Sequence, residues 1–79
     1  RLEVVKAKSI MKPVDAFKKE YGAVPKGALK MNENDDLSSL IETSVSSDMP
    51  IIINNLNNEE IGIVSQKDLL VAIVEGQDE

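Results

Sequence analysis

The chain has 79 residues, 42% apolar but only 3% aromatic, with a formal net charge of −5. That length allows one small domain with an aliphatic core near the limit of self-sufficiency, so association with a partner surface is expected. With no cysteine and no histidine, disulfides, thiolate metal sites and His-dependent catalysis are excluded, zinc is disfavoured, and the acidic balance argues against nucleic acid.

Val4 to Met11 reads as a short helix or the end of a linker, closed by Pro13. Between Val14 and Gly27 the density of Gly and Pro predicts a loop. A short strand is expected over Ala28 to Met31. Asn34-Asp35-Asp36 is a helix-start signal, since these side chains accept from free backbone N–H groups at the positive helix end. Four carboxylate and amide groups at Glu33 to Asp36 lack the spacing of a calcium loop. Leu37, Leu40, Ile41 and Val45 then give one buried helical face, and Ser46-Ser47-Asp48 ends the helix.

Pro50-Ile51-Ile52-Ile53 is a β-branched run suited to a strand buried on both faces. The Asn-rich segment Asn54 to Glu59 predicts a turn. Glu60 to Val64 is a second strand, antiparallel to the first. Ser65-Gln66-Lys67-Asp68 opens the last helix, with Leu69, Leu70, Ile73 and Val74 on its apolar face and Gly76 placed to end it. The expected class is α+β, ordered β-α-β-β-α: a small mixed sheet with two helices on one face, after an N-terminal linker or helix. Residues 1–27 form that N-terminal part and 28–79 the repeat. Ile52 and Ile63 are expected core residues. Leu40, Ile41, Leu70 and Ile73 are expected at a two-fold dimer contact. No apolar run is long enough to cross a bilayer and no signal peptide is visible. The chain opens at Arg1, which implies a piece of a longer protein.

Met49 to Ile53, the turn, and Glu60-Ile61-Gly62-Ile63-Val64-Ser65-Gln66-Lys67-Asp68-Leu69-Leu70 closely resemble the second half of a CBS (cystathionine-beta-synthase) repeat. Ala7 to Pro13 resembles the opening segment of that family. Two features depart from it: the intervening stretch Val14 to Gly27, and a helix after Leu37 about one turn short. Both, with Ala7-Lys8, Ile10, Gly22, Pro25 and Ala28-Leu29-Lys30, are similar to the C-terminal tails of ATP-binding subunits of glycine betaine/proline importers. The resemblance implies a cytoplasmic, non-catalytic regulatory module, peripheral to the inner face of the membrane. Such a module forms a homodimer or pairs with a second CBS repeat, and biases an attached transporter ATPase domain by sensing an adenine nucleotide or ionic strength. The alternative is a purely structural dimerisation module without a ligand.

By resemblance, Ser65 and Asp68 hold AMP or ATP, with Lys67 and Lys30 offsetting the phosphate charge and Ala28, Leu29, Pro50 and Ile51 enclosing adenine. The residues themselves leave a second reading open, because Ser65-x-x-Asp68 also has the pattern of a capping box. Gly62 reads as a place where another backbone comes close. Lys18-Lys19 reads as a solvated face or, in a transporter setting, a contact with anionic lipid.

Overall fold

A computed structural model describes residues 5–77 of the chain. The elements are α1 (Ala7–Ile10), α2 (Val14–Tyr21), β1 (Leu29–Asn32), α3 (Leu37–Val45), β2 (Ile51–Asn54), β3 (Glu60–Val64) and α4 (Gln66–Gln77). The three strands form a mixed sheet of order β1-β2-β3. Strand β2 lies in the middle, parallel to β1 with Leu29 opposite Ile51, and antiparallel to β3 with Ile52 opposite Ile63. This is the expected α+β class with its expected hairpin.

Strand β2 is central because its sequence leaves no polar face. Ile51, Ile52 and Ile53 are all buried, and successive side chains of a strand point to opposite faces. Ile51 and Ile53 therefore join Val64 on one face, packed with Ala7 of α1, Leu40 of α3 and Leu69 of α4. Ile52 and Ile63 lie on the other face, against Phe17 of α2 with Val24 and Ala28 around them.

Helix α2 replaces the first part of the loop expected between Val14 and Gly27, and residues 22–27 remain outside helix and strand. Its signals are local: Pro13 at the N-cap, Asp15 in the first turn, Lys18 and Lys19 in the last. Gly22 closes it at φ 93°, donating its N–H to the Lys18 carbonyl at 2.7 Å; that left-handed conformation favours glycine. The helix forms because Phe17 then covers the second face of the sheet.

The segment before Pro13 is tied down at both ends. Lys6 bridges Asp36, and the Leu37 N–H donates to the Val5 carbonyl at 2.8 Å. Further on, Lys12 and Ile63 exchange two backbone hydrogen bonds of 2.9 Å on the outer edge of β3. Gly62 permits this approach. A Cβ there would lie 2.8 Å from Met11 Cγ and 3.0 Å from the Lys12 carbonyl oxygen, so the close backbone approach read from the sequence is present.

The helix start and the turn follow the side-chain chemistry expected of them. Asp36 caps α3 by accepting from the Ser39 N–H at 3.0 Å. That bond and the Ser39 hydroxyl hold its carboxyl below the usual range, so the stability it adds is complete above its unfolded-state pKa and disappears as pH falls through the folded value. In the hairpin, Asn55 Oδ1 accepts from the N–H groups of Asn57 and Glu59 at 2.9 and 3.0 Å. Asn58 takes φ 63°, a conformation that asparagine tolerates better than most residues.

Five expected positions differ. Val45 is 81% exposed because it ends a nine-residue helix, beyond the last turn that reaches the sheet. Leu40 is fully buried inside the chain, so it is not a dimer contact. The buried side of α4 centres on Leu69. Each helical residue turns by about 100°, which carries Leu70 and Val74 outward to 63% and 57% exposure. Gly76 lies inside α4, which runs on to Gln77. No helix among the described residues is long and apolar enough to cross a membrane.

Two measurements check this packing. Ile63→Ala is expected to cost roughly 2–5 kcal/mol and Phe17→Ala about 3–5 kcal/mol, comparable with the whole stability of so small a domain. Both variants should therefore unfold at far lower urea concentration than the parent by circular dichroism. A parent-like Phe17→Ala midpoint would remove α2 from the fold. Gly62→Ala should also lower the melting temperature, and by less in a Met11→Ala background, where the flexible side chain meeting the new methyl is gone.

Candidate functional site

The turn from β3 into α4 is built by two side chains. Ser65, 7% exposed, donates its hydroxyl to Asp68 Oδ2 at 2.9 Å and accepts from the Asp68 N–H at 3.2 Å. The Ser65 N–H donates to the same Oδ2 at 3.0 Å. Backbone donors that a helix start leaves open are thus satisfied reciprocally, which is the capping box. The second carboxylate oxygen is also engaged: Lys12 Nζ lies 3.5 Å from Asp68 Oδ1.

Lys12 is the centre of this corner, although no local pattern distinguishes it from the other lysines. Its ammonium also donates to Glu20 Oε1 at 3.2 Å and sits 5.8 Å from the centre of the Tyr21 ring. Burial pulls its pKa down, but the hydrogen bond to Glu20 and the charge of Asp68 outweigh this and leave it above its ordinary value. The α2 carboxylate and the α4 carboxylate are joined through one cation. The Tyr21 ring in turn packs on Phe17 with centroids 4.6 Å apart.

Beside this corner lies an open cleft of about 360 Å³, bordered by Phe17 and Tyr21 of α2, Pro50 before β2, and Ser65, Gln66 and Lys67 at the start of α4. Of the residues singled out by resemblance, Pro50, Ser65 and Lys67 meet here. Asp68 is their neighbour but turns its carboxylate toward Ser65 and Lys12. Ala28 packs on the Phe17 side of the sheet. Leu29 and Ile51 belong to the opposite, helix-covered face. Lys30 is exposed on β1. Two aromatic side chains of α2 thus take the place beside the cleft that sequence reasoning gave to Leu29 and Ile51. The i, i+4 spacing of Phe17 and Tyr21 in front of Gly22 was the available signal.

The acidic segment before α3 is occupied by the chain itself. Asp35 Oδ2 accepts from the Asn32 N–H at 2.8 Å, as Asp36 does from Ser39. No known family model matches this chain, and no curated protein matches it.

The corner can be tested by pH. Lys12→Met keeps an apolar stem and removes the charge, so it should lower the urea midpoint at neutral pH. The folded-state pKa of Lys12 is raised, so its contribution is full below the unfolded-state value and is lost as pH rises through the folded one. Parent and variant should therefore converge on titration from neutral to about pH 12. A constant difference across that range would mean that Lys12 acts through packing alone.

Proposed function

We propose that this domain is a non-catalytic regulatory module of the CBS type, in which two copies pair and bias an attached domain. The observation that carries the reading is the way the opening segment and the repeat interlock. Lys12 exchanges backbone hydrogen bonds with Ile63, Met11 covers Gly62, and the hairpin runs directly into the Ser65–Asp68 capping box. These are the stretches that resemble the family, and they form one structural unit. The importer-like features narrow the proposed setting to the ATPase subunit of an osmoprotectant transporter, at the inner face of the membrane.

A second reading, adenine-nucleotide sensing, is favoured by the cleft. It offers aromatic and proline surface for a base, and the Ser65 corner at a helix start with Lys67 for a phosphate, against the opposing charge of Asp48. A ribose reaching Asp68 there has to displace Lys12 from Oδ1. Ionic strength is the other signal in this setting, because the Lys12 pairs are partly solvent-exposed and therefore screened by salt.

Sedimentation equilibrium of the chain tests the pairing: a reversible dimer is expected, and a monomer at every concentration reached would overturn it. Calorimetry with AMP and ATP at low salt, on the parent and on Asp68→Asn, separates the two readings. Sensing predicts saturable binding that Asp68→Asn weakens by about tenfold to a hundredfold, the value of a charge-assisted hydrogen bond. A scaffold predicts no heat in either protein.

A further inference from the structure

Helix α4 leaves an uncovered stripe on its outer side. Leu70, Val71 and Val74 are 63%, 46% and 57% exposed, although their chain neighbour Leu69 is buried in the core. Exposed Lys67 stands at the N-terminal end of this stripe and exposed Glu75 at the other. Residues 67, 70, 71, 74 and 75 follow the i, i+3, i+4, i+7, i+8 spacing of one helical face. A single surface therefore carries a positive end, an apolar middle and a negative end.

Such a stripe is complementary to itself in one sense only. Two copies placed antiparallel across a two-fold axis at Val71 put Lys67 of each copy opposite Glu75 of the other. Val71 then meets Val71, and Leu70 and Val74 close around it. A parallel arrangement instead brings Lys67 against Lys67 and Glu75 against Glu75. Lys67 and Glu75 lie eight residues apart, about 12 Å along the helix, so both cross-pairs sit at the rim of the apolar contact. We infer that a second copy of this chain docks on α4, antiparallel, with Val71 at the two-fold axis and reciprocal Lys67–Glu75 pairs. This rests on the pairing proposed above; it narrows the two-fold contact expected at Leu70 to one face of α4 and adds the direction and the register. The contact is isologous, so it closes at the dimer and does not propagate. The face lies opposite buried Leu69; Lys67 stands where it meets the cleft beside Ser65, so pairing with Glu75 of the second copy draws this side chain away from the cleft.

Because every residue involved is at the surface, charge reversal tests the geometry without disturbing the core. Sedimentation equilibrium is run on the 79-residue chain and its variants, each checked for parent-like circular dichroism. Lys67→Glu and Glu75→Lys should each raise the dimer dissociation constant roughly fivefold to tenfold, since each replaces two attractive rim pairs by two repulsive ones. The double variant K67E/E75K restores opposite charges across the interface and should return the constant to near the parent value. Val71→Glu sets two carboxylates against each other at the axis and should leave a monomer at about 100 μM. Rescue in the double variant supports the antiparallel register. A dimer indifferent to Val71→Glu, or no rescue, overturns the α4 interface while leaving the pairing proposal standing. A parent that is monomeric throughout overturns both.

Discussion

The architecture follows from a strand that cannot face water on either side. Ile51, Ile52 and Ile53 alternate across the sheet and each is buried. A β-α-β-β-α unit with helices on one face shelters Ile51 and Ile53 but leaves Ile52, with its partner Ile63, facing outward. Helix α2 resolves this: Phe17, the one phenylalanine in the chain, closes over that pair. The other aromatic residue, Tyr21, stands one turn further along the same helix and packs on the Phe17 ring.

The same helix determines the chemistry of the corner where β3 enters α4. Once Phe17 is fixed on the sheet, Glu20 and Tyr21 stand beside Lys12, and Lys12 is itself fixed by backbone pairing to Ile63. An anion at the start of α4 thus meets a lysine held from two directions. The consequence is that Asp68 is held in place by Ser65 and Lys12 together. The Glu20–Lys12–Asp68 contacts thereby tie α2 to the start of α4.

How much of this was legible in the sequence depended on the range of the interactions. The Ile51–Ile53 run, the Asn-rich turn, the Asp36 cap and the Ser65–Asp68 box are local patterns, and each element they predict is present. Helix α2 carried local signals as well, in Pro13, Asp15 and Gly22, but Gly22, Pro25 and Gly27 weighted the whole stretch toward a loop. Lys12 was not legible, because what distinguishes it from the other lysines is that Glu20 and Asp68 are brought to it from separate helices. The outward direction of Leu70 and Val74 was likewise decided by which residue of α4 the sheet selected as its contact. The apolar count along α4 allowed either Leu69 or Leu70 to be that residue.

The bridge between Lys12 and Ile63 has one further consequence. Strand β3 forms one border of the sheet and β1 the other, and a border strand offers unpaired N–H and C=O groups to any extended chain it encounters. On β3 two of those groups are already taken by Lys12. The next residue in the bridging segment is Pro13, which has no N–H to continue a ladder. The segment therefore occupies the border at one point and cannot lengthen into a fourth strand. Met11 over Gly62 shields the adjoining stretch by bulk. A chain so short, with an Ile-rich centre and little charge on β2, is a natural candidate for intermolecular zippering. Its opening segment blocks such recruitment along the β3 border.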